Sequence, residues 1–395
     1  MESYLEVTNS LLFLINLLID QAMNEELAVF SIALSYIKEI KTDIVKKFAE
    51  TGISLSDFFE GNFLDISRML GITGNFNVSK KMLDNALAKA SDDYKNLIRH
   101  KVKPISILDP SYPYRLREIP DAPIVIYVLG DENILSSEHI ASLVGTRKPT
   151  PYGIDFCGKL IGELASYFPD LVVVSGLAYG IDATAHKAAI SSSRPTVAVL
   201  AHGLDMIYPA THRELARKIL NTGGTLLSEY PFGEKPYRQR FLERNRIVAA
   251  VSDVTVVVES AIKGGAMSTA HTAFSYSREV MALPGKISDP LSEGCNLLIR
   301  KEKARLITCG ADLIEATGWQ PENFKIDCRQ RNLFPELEGE GKIIYDTLRF
   351  NAEPMQLDTI FHICQIPMPK LLAVLGEMEF DGIITKYPGN RYALS

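Results

Sequence analysis

Between Lys235 and Arg246 the segment KPYRQRFLERNR carries Lys235, Arg238, Arg240, Arg244 and Arg246 against the single acid Glu243, with Phe241 among the cations. Such residues suit an unpaired nucleic-acid strand, because phosphates are held by charge and exposed bases stack on a flat ring. The same segment also fits a solvated basic helix with Phe241 turned into a core.

Three other segments could do related chemistry. In LVGTRKPTPYG an apolar run ends at Gly145, followed by Thr146, Arg147 and Lys148. Glycine admits a second backbone, and a guanidinium offers a planar fork to phosphate oxygens; a turn with merely solvated charges fits too. In SGLAYGIDATAHKAAI, Gly176 and Gly180 close one element and open a helix whose first N–H groups can receive an anion, without matching GxGxxG. Asp182 and His186 stand four apart there, as an acid/base pair or, more simply, as a cap or intrahelical bond. In VVVESAIKGGAMSTAHTAF, Lys263, Gly264, Gly265 and Ser268 form another anion seat, and Glu259 is a candidate carboxylate. With no GxSxG elbow, Walker A or paired metal carboxylates, binding is favoured over catalysis.

These segments need a scaffold. The runs HIASLVG, LVVVSG, TVAVLA, GTLLSE, DVTVVVES and REVMALPG alternate with stretches long enough for crossover helices, which predicts an α/β fold with an extended, Rossmann-like parallel sheet. Ligands of such sheets bind outside the carboxyl ends of the strands, where the glycine- and cation-bearing segments fall. Residues from Ser10 to Ala90 repeat apolar positions at helical spacing, and prolines between Leu108 and Pro123 mark a boundary. After Trp319 the chain turns polar. From Lys342 three helical stripes and the strand pair GIITKYPGNRYAL describe a winged helix. The expected organisation is a helical domain over 1–104, a Rossmann-like domain over 105–318, a linker over 319–340 and a winged-helix module over 341–395.

The 395 residues allow two or three domains at a prior of ~150 each, and 46% hydrophobic with 23% charged residues is ordinary globular composition. The apolar run Leu11 to Ile19 is shorter than the ~18 residues a membrane span needs, so it reads as a buried helix. Cys157, Cys295, Cys309, Cys328 and Cys364 show neither disulfide nor zinc spacing, which suits a cytoplasmic protein. No metal or cofactor is expected. With a net charge of -6, any nucleic-acid site must be local.

Taken in order, VGTRKPTPYG, SGLAYGIDATAHKAAI, HGLDMIYPATH, LLSEYPFGEKPYRQRFLERNRIVAA, VVVESAIKGGAMSTA and REVMALPG resemble the blocks of the DNA-processing protein A (DprA/Smf) family, from about Tyr112 to about Gly310. The resemblance implies an extended Rossmann domain that binds single-stranded DNA in a basic pocket, forms a homodimer, protects incoming DNA in natural transformation and loads a RecA-type recombinase. It implies no catalytic residue. Arg147 matches the arginine of the family's G-[ST]-R block, and Arg244, Asn245 and Arg246 match its RNR block. Phe241 and Lys263 match a stacking aromatic and a basic loop residue.

The chain also departs from the family. Gly264, Gly265 and Ala266 stand where the family reads SGS, so a hydroxyl there must come from Ser268 or Thr269, and Tyr179 stands where a lysine or arginine is common. The N-terminal segment looks like a degenerate helix-hairpin-helix or SAM-like domain lacking the glycines of a phosphate-binding hairpin. From Gly341 onward five basic residues face six acidic ones, too few cations for a duplex-gripping winged helix and better suited to protein contact or regulation.

The expected DNA contacts are therefore Gly145, Arg147, Lys148, Gly176, Lys235, Arg238, Arg240, Phe241, Arg244, Asn245, Arg246, Lys263, Gly265 and Ser268. The rival readings are a phosphoribohydrolase-like nucleotide hydrolase and a duplex-DNA regulator acting through the winged helix.

Overall fold

The computed structural model describes residues 25–51, 78–321, 339–349, 354–380, 383–387 and 389–394. The chain divides into two units, Met1–Glu322 and Asn323–Ser395. The expected helix over Leu11 to Ile19 lies outside the described residues.

The first unit is built on strands β1 (Lys103–Ser106), β2 (Val125–Gly130), β3 (Ile140–Val144), β4 (Val172–Ser175), β5 (Thr196–Leu200), β6 (Thr225–Ser228), β7 (Val254–Val257), β8 (Glu279–Ala282) and β9 (Arg305–Leu306). They form one sheet in the order β1-β2-β6-β5-β4-β3-β7-β8-β9. From β6 across to β9 the neighbours run parallel, with Ala141 opposite both Val173 and Val254. The six apolar runs become β3 to β8. At the other edge β1 and β2 pair antiparallel, so the sheet is not parallel throughout.

Strands β3 to β7 are buried on both faces, which is why their sequences read as continuous apolar runs rather than alternating ones. Alternate residues serve opposite cores: Val172 and Val174 pack on one face, Val173 on the other. Each strand from β3 to β9 leads into a helix: Pro151–Tyr167, Ile181–Ser191, Arg213–Asn221, Arg238–Ala250, Gly265–Ser275, Glu293–Arg300 and Gly310–Thr317. The winding moves from β3 outward to β6, then returns to place β7 beside β3. A crevice opens at that reversal, between the carboxyl ends of β3 and β7.

At the opposite end Arg115, 1% exposed, makes a two-pronged pair with Asp253 (2.6 and 2.9 Å) and donates to the carbonyls of Ser137 and Glu138. Asp253 also accepts from Ile140 N–H at 3.0 Å, tying together the amino ends of β3 and β7.

Among the described residues, the helix over 25–35 and the helices Thr42–Glu50 and Lys80–Arg99 share the core of the sheet. Phe30, Leu34, Phe48, Leu83 and Leu97 join Ile105 and Ile126 of β1 and β2 in one cluster, and the Ser31 hydroxyl donates to that of Ser106 at 2.7 Å. At the far end Trp319, expected to open the linker, is buried with its ring 5.2 Å from Phe168 and 4.9 Å from His139. Residues 322–338 of that linker lie outside the described residues.

The second unit has helices Gly339–Arg349, Leu357–Cys364 and Met368–Phe380, and a sheet β10 (Met355–Gln356), β12 (Arg391–Leu394), β11 (Ile384–Tyr387) in that order. Ile344, Leu348, Ile360, Leu371, Leu375 and Tyr392 fill its core. Gly389 and Asn390 both take positive φ, 84° and 51°, as a tight turn between β11 and β12 requires. Lys370, the one cation of the helix Met368–Phe380, ion-pairs with Glu340. Among the described residues no single helix is long and apolar enough to cross a membrane.

Candidate nucleic-acid interface

The crevice at the β3/β7 reversal is a cleft of about 660 Å³. Its walls are the turn after β3 (Gly145, Thr146, Arg147), the turn after β4 (Gly176, Ala178), one face of the helix Arg238–Ala250 and the loop Ser260–Ala266. Helical spacing decides which cations reach it. Arg238, Phe241, Leu242 and Asn245 recur at three, four and seven residues and line the cleft; Arg240 and Arg246 do not.

Arg147, Arg238 and Lys263 are exposed at the cleft, and among the described residues none has a carboxylate partner. The Arg147 guanidinium carbon lies 5.9 Å from the centroid of Phe241, a half-buried ring 5.6 Å from Tyr208. Lys148 and Lys235 are exposed nearby without lining the cleft. The helix Gly265–Ser275 starts behind Gly264 with no side-chain cap, which leaves its first backbone N–H groups open to an anion. Of the hydroxyl-bearing residues Ser268 and Thr269 on this helix, Thr269 lines the cleft and Ser268 does not.

Three of the expected contacts are engaged elsewhere. Arg240 ion-pairs with Glu234, donates to the Lys235 carbonyl at 2.8 Å and stacks on Tyr230 and Tyr237 at 4.6 and 4.4 Å. Arg246 pairs with Glu229 and, at 3.6 Å, with Asp121. Arg244 reaches the cleft floor but is 4% exposed, and its Nη1 donates to the carbonyls of Gly176, at 2.7 Å, and Val199. A Cβ at Gly176 would come 2.4 Å from that guanidinium, so the glycine is what lets the arginine seat. Asp182 completes the corner by accepting from the N–H groups of Gly176 (3.2 Å) and Ala178 (3.3 Å). Burial pushes its carboxyl above the ordinary carboxylate range, against the pull of Arg244 and the two N–H donors.

Asp182 and His186 do not form an acid/base pair. Thr196 donates its hydroxyl proton to the Val173 carbonyl at 2.6 Å, so at 2.7 Å it accepts from His186 Nδ1–H. His186 is fully buried and its pKa is pushed down to about 3. Glu259 is not a free carboxylate either: it accepts from the N–H of Thr150 at 2.9 Å and from its hydroxyl. Thr150 in turn caps the helix Pro151–Tyr167. The sequence reading missed Tyr208 and Tyr237, exposed rings on the cleft wall. The available signal for Tyr208 was a Tyr-Pro step in the loop leaving β5.

Residues 103–318 match the family described as DNA recombination-mediator protein A, and residues 335–390 match the DprA winged helix domain. A Mycobacterium tuberculosis protein named putative DNA processing protein DprA is 40% identical over 242 residues, covering 58% of this chain but 61% of its relative, less than two thirds of that protein. Protein Smf of Synechocystis sp. is 30% identical, covering 91% of this chain and 97% of its own. The X-ray structure of DNA processing protein A from Streptococcus pneumoniae superimposes with a TM-score of 0.55 at 31% identity, over 70% of this chain and 98% of that one.

Proposed function

The chain belongs to the DNA-processing protein A (DprA/Smf) family, and from that premise we propose that it binds single-stranded DNA in the cleft between β3 and β7 and passes it to a RecA-type recombinase. One observation carries the reading. Arg147, Arg238 and Lys263 line the cleft with the half-buried Phe241 and have no carboxylate partner among the described residues, in an acidic chain where Arg240 and Arg246 are neutralised by carboxylates. Phosphates meet the free cations and the open helix start, and one base lies on Phe241. These contacts address charge and ring faces rather than base edges, so sequence preference is small.

Protection of incoming DNA, recombinase loading, homodimerisation and action in the cytoplasm follow from the family resemblance and are part of the same proposal. The protein acts here as a binder rather than an enzyme: a hydrolase reading needs a free strand-end carboxylate, and Glu259 is engaged with Thr150. Fluorescence anisotropy of labelled oligo-dT and a matched duplex across a salt series tests the reading. It expects single-strand preference and a log-log salt slope of about -0.7 per phosphate neutralised. Duplex preference, or release of free base from nucleoside monophosphates, would overturn it.

A further inference from the structure

Phe241 offers the cleft one stacking ring, but the aromatic surface does not stop at the cleft. Tyr208, 48% exposed, stands beside Phe241 and is held by its own N–H donating to His202 Nε2 at 3.2 Å. Tyr179 follows β4, lies outside the cleft lining and is 46% exposed. Its ring meets the edge of His212 at 4.9 Å and 67°, and its hydroxyl lies 3.1 Å from that of Thr211. His212 is fixed in turn by Nδ1–H donating to the Leu177 carbonyl at 2.9 Å. A core tyrosine would be buried, and a merely solvated one would not be pinned at both its ring and its hydroxyl.

The platform also adjoins the cleft. Gly180, next to Tyr179, has φ +80°, and a Cβ there would lie 2.2 Å from the Thr146 carbonyl and 2.7 Å from Arg147 Cα. The backbone carrying Tyr179 therefore abuts the turn carrying Arg147. Tyr208, Thr211 and His212 all belong to the loop leaving β5, so the cleft rings and the Tyr179 platform share one support. Arg213, beside His212, is exposed, and no carboxylate partner is present among the described residues.

We infer that a strand leaving the cleft passes over the carboxyl ends of β4 and β5 and stacks a further base on Tyr179, held by His212 and Thr211, with its phosphate near Arg213. The inference rests on the single-strand reading of the cleft. A stacking site suits this place because every base offers a π-face and the ring is ordered before the strand arrives. Tyrosine thus supplies affinity by stacking where a cation would have supplied it by charge.

The test is anisotropy with oligo-dT of increasing length on the full chain, for wild type, Tyr179→Ala, Tyr179→Phe and Arg147→Ala. It is paired with photocrosslinking by oligomers carrying a single 5-iododeoxyuridine stepped along the strand. Tyr179→Ala should bind long oligomers roughly five-fold to a hundred-fold more weakly, and the shortest binders like wild type. Tyr179→Phe should keep most of the long-oligomer affinity, and Tyr179 should crosslink from a position displaced from the one that crosslinks Phe241. Tyr179→Ala equal to wild type at every length, with Arg147→Ala weakened, would overturn the platform and leave the cleft standing. Equal loss at short and long lengths would place Tyr179 inside the cleft and also overturn it. Arg147→Ala without effect at any length would remove the cleft reading, and the platform with it.

Discussion

Replacing Arg244 with alanine should lower stability before it says anything about ligand. The side chain is 4% exposed, and its Nη1 holds the Gly176 and Val199 carbonyls where β4 and β5 end. Truncation leaves two buried carbonyls without that donor and removes the positive group nearest the buried Asp182. Hydrogen bonds from a charged donor contribute about 1.5–3 kcal/mol each, and stranding a buried charge costs more, so the loss should be about 3–5 kcal/mol. Thermal unfolding followed by circular dichroism should show a midpoint lower by about 4–7 °C. Gly176→Ala should act on the same corner from the other side, because its Cβ meets a guanidinium that cannot swing away. An Arg244→Ala protein that melts with wild type yet has lost oligo-dT affinity would refute the reasoning, since the guanidinium would then be reaching the strand rather than building the floor.

Other consequences can be checked alongside. His186 has a folded pKa of about 3 against an ordinary 6.5, so its contribution is complete above pH 6.5 and is lost as pH falls towards 3. From this group alone urea unfolding should show about 2 kcal/mol less stability at pH 5 than at pH 7.5, and His186→Asn should flatten that interval. Cys157 and Cys295, whose thiols burial pushes up to about 12, should ignore a thiol reagent in the native state and react on unfolding. A chain ending at Glu322 should keep most of its oligo-dT affinity, because the winged-helix segment Met368–Phe380 has Lys370 as its single cation and that cation is paired with Glu340; loss of most affinity would assign the winged helix to DNA.

The strands that could be read from sequence were those buried on both faces, where apolar runs such as LVVVS and VTVVV leave no alternative. Those not anticipated were β2, whose apolar run follows directly on the prolines that mark the boundary, and strands that are short or at an edge: β1 carries a proline, and β9 and β10 have two residues each. The cleft's location followed from where the glycine turns sat on the strand ends. Its cation set did not, because charge counted along KPYRQRFLERNR ignores the helical period that turns Arg240 and Arg246 from the cleft towards Glu234 and Glu229. Reading positions 238, 241, 242 and 245 as one face would have separated them. The seating of Arg244 could not be read that way, since it depends on carbonyls at the ends of two other strands.

In the proposed function, free cations at the cleft, rather than basic residues in general, hold the strand. The most direct measurement is the salt-dependent affinity for oligo-dT of Arg147→Ala and Lys263→Ala, each checked for an unchanged melting midpoint. Both variants should bind more weakly, with a salt slope shallower by about 0.7 for each charge removed. Wild-type affinity and slope in both variants would contradict it.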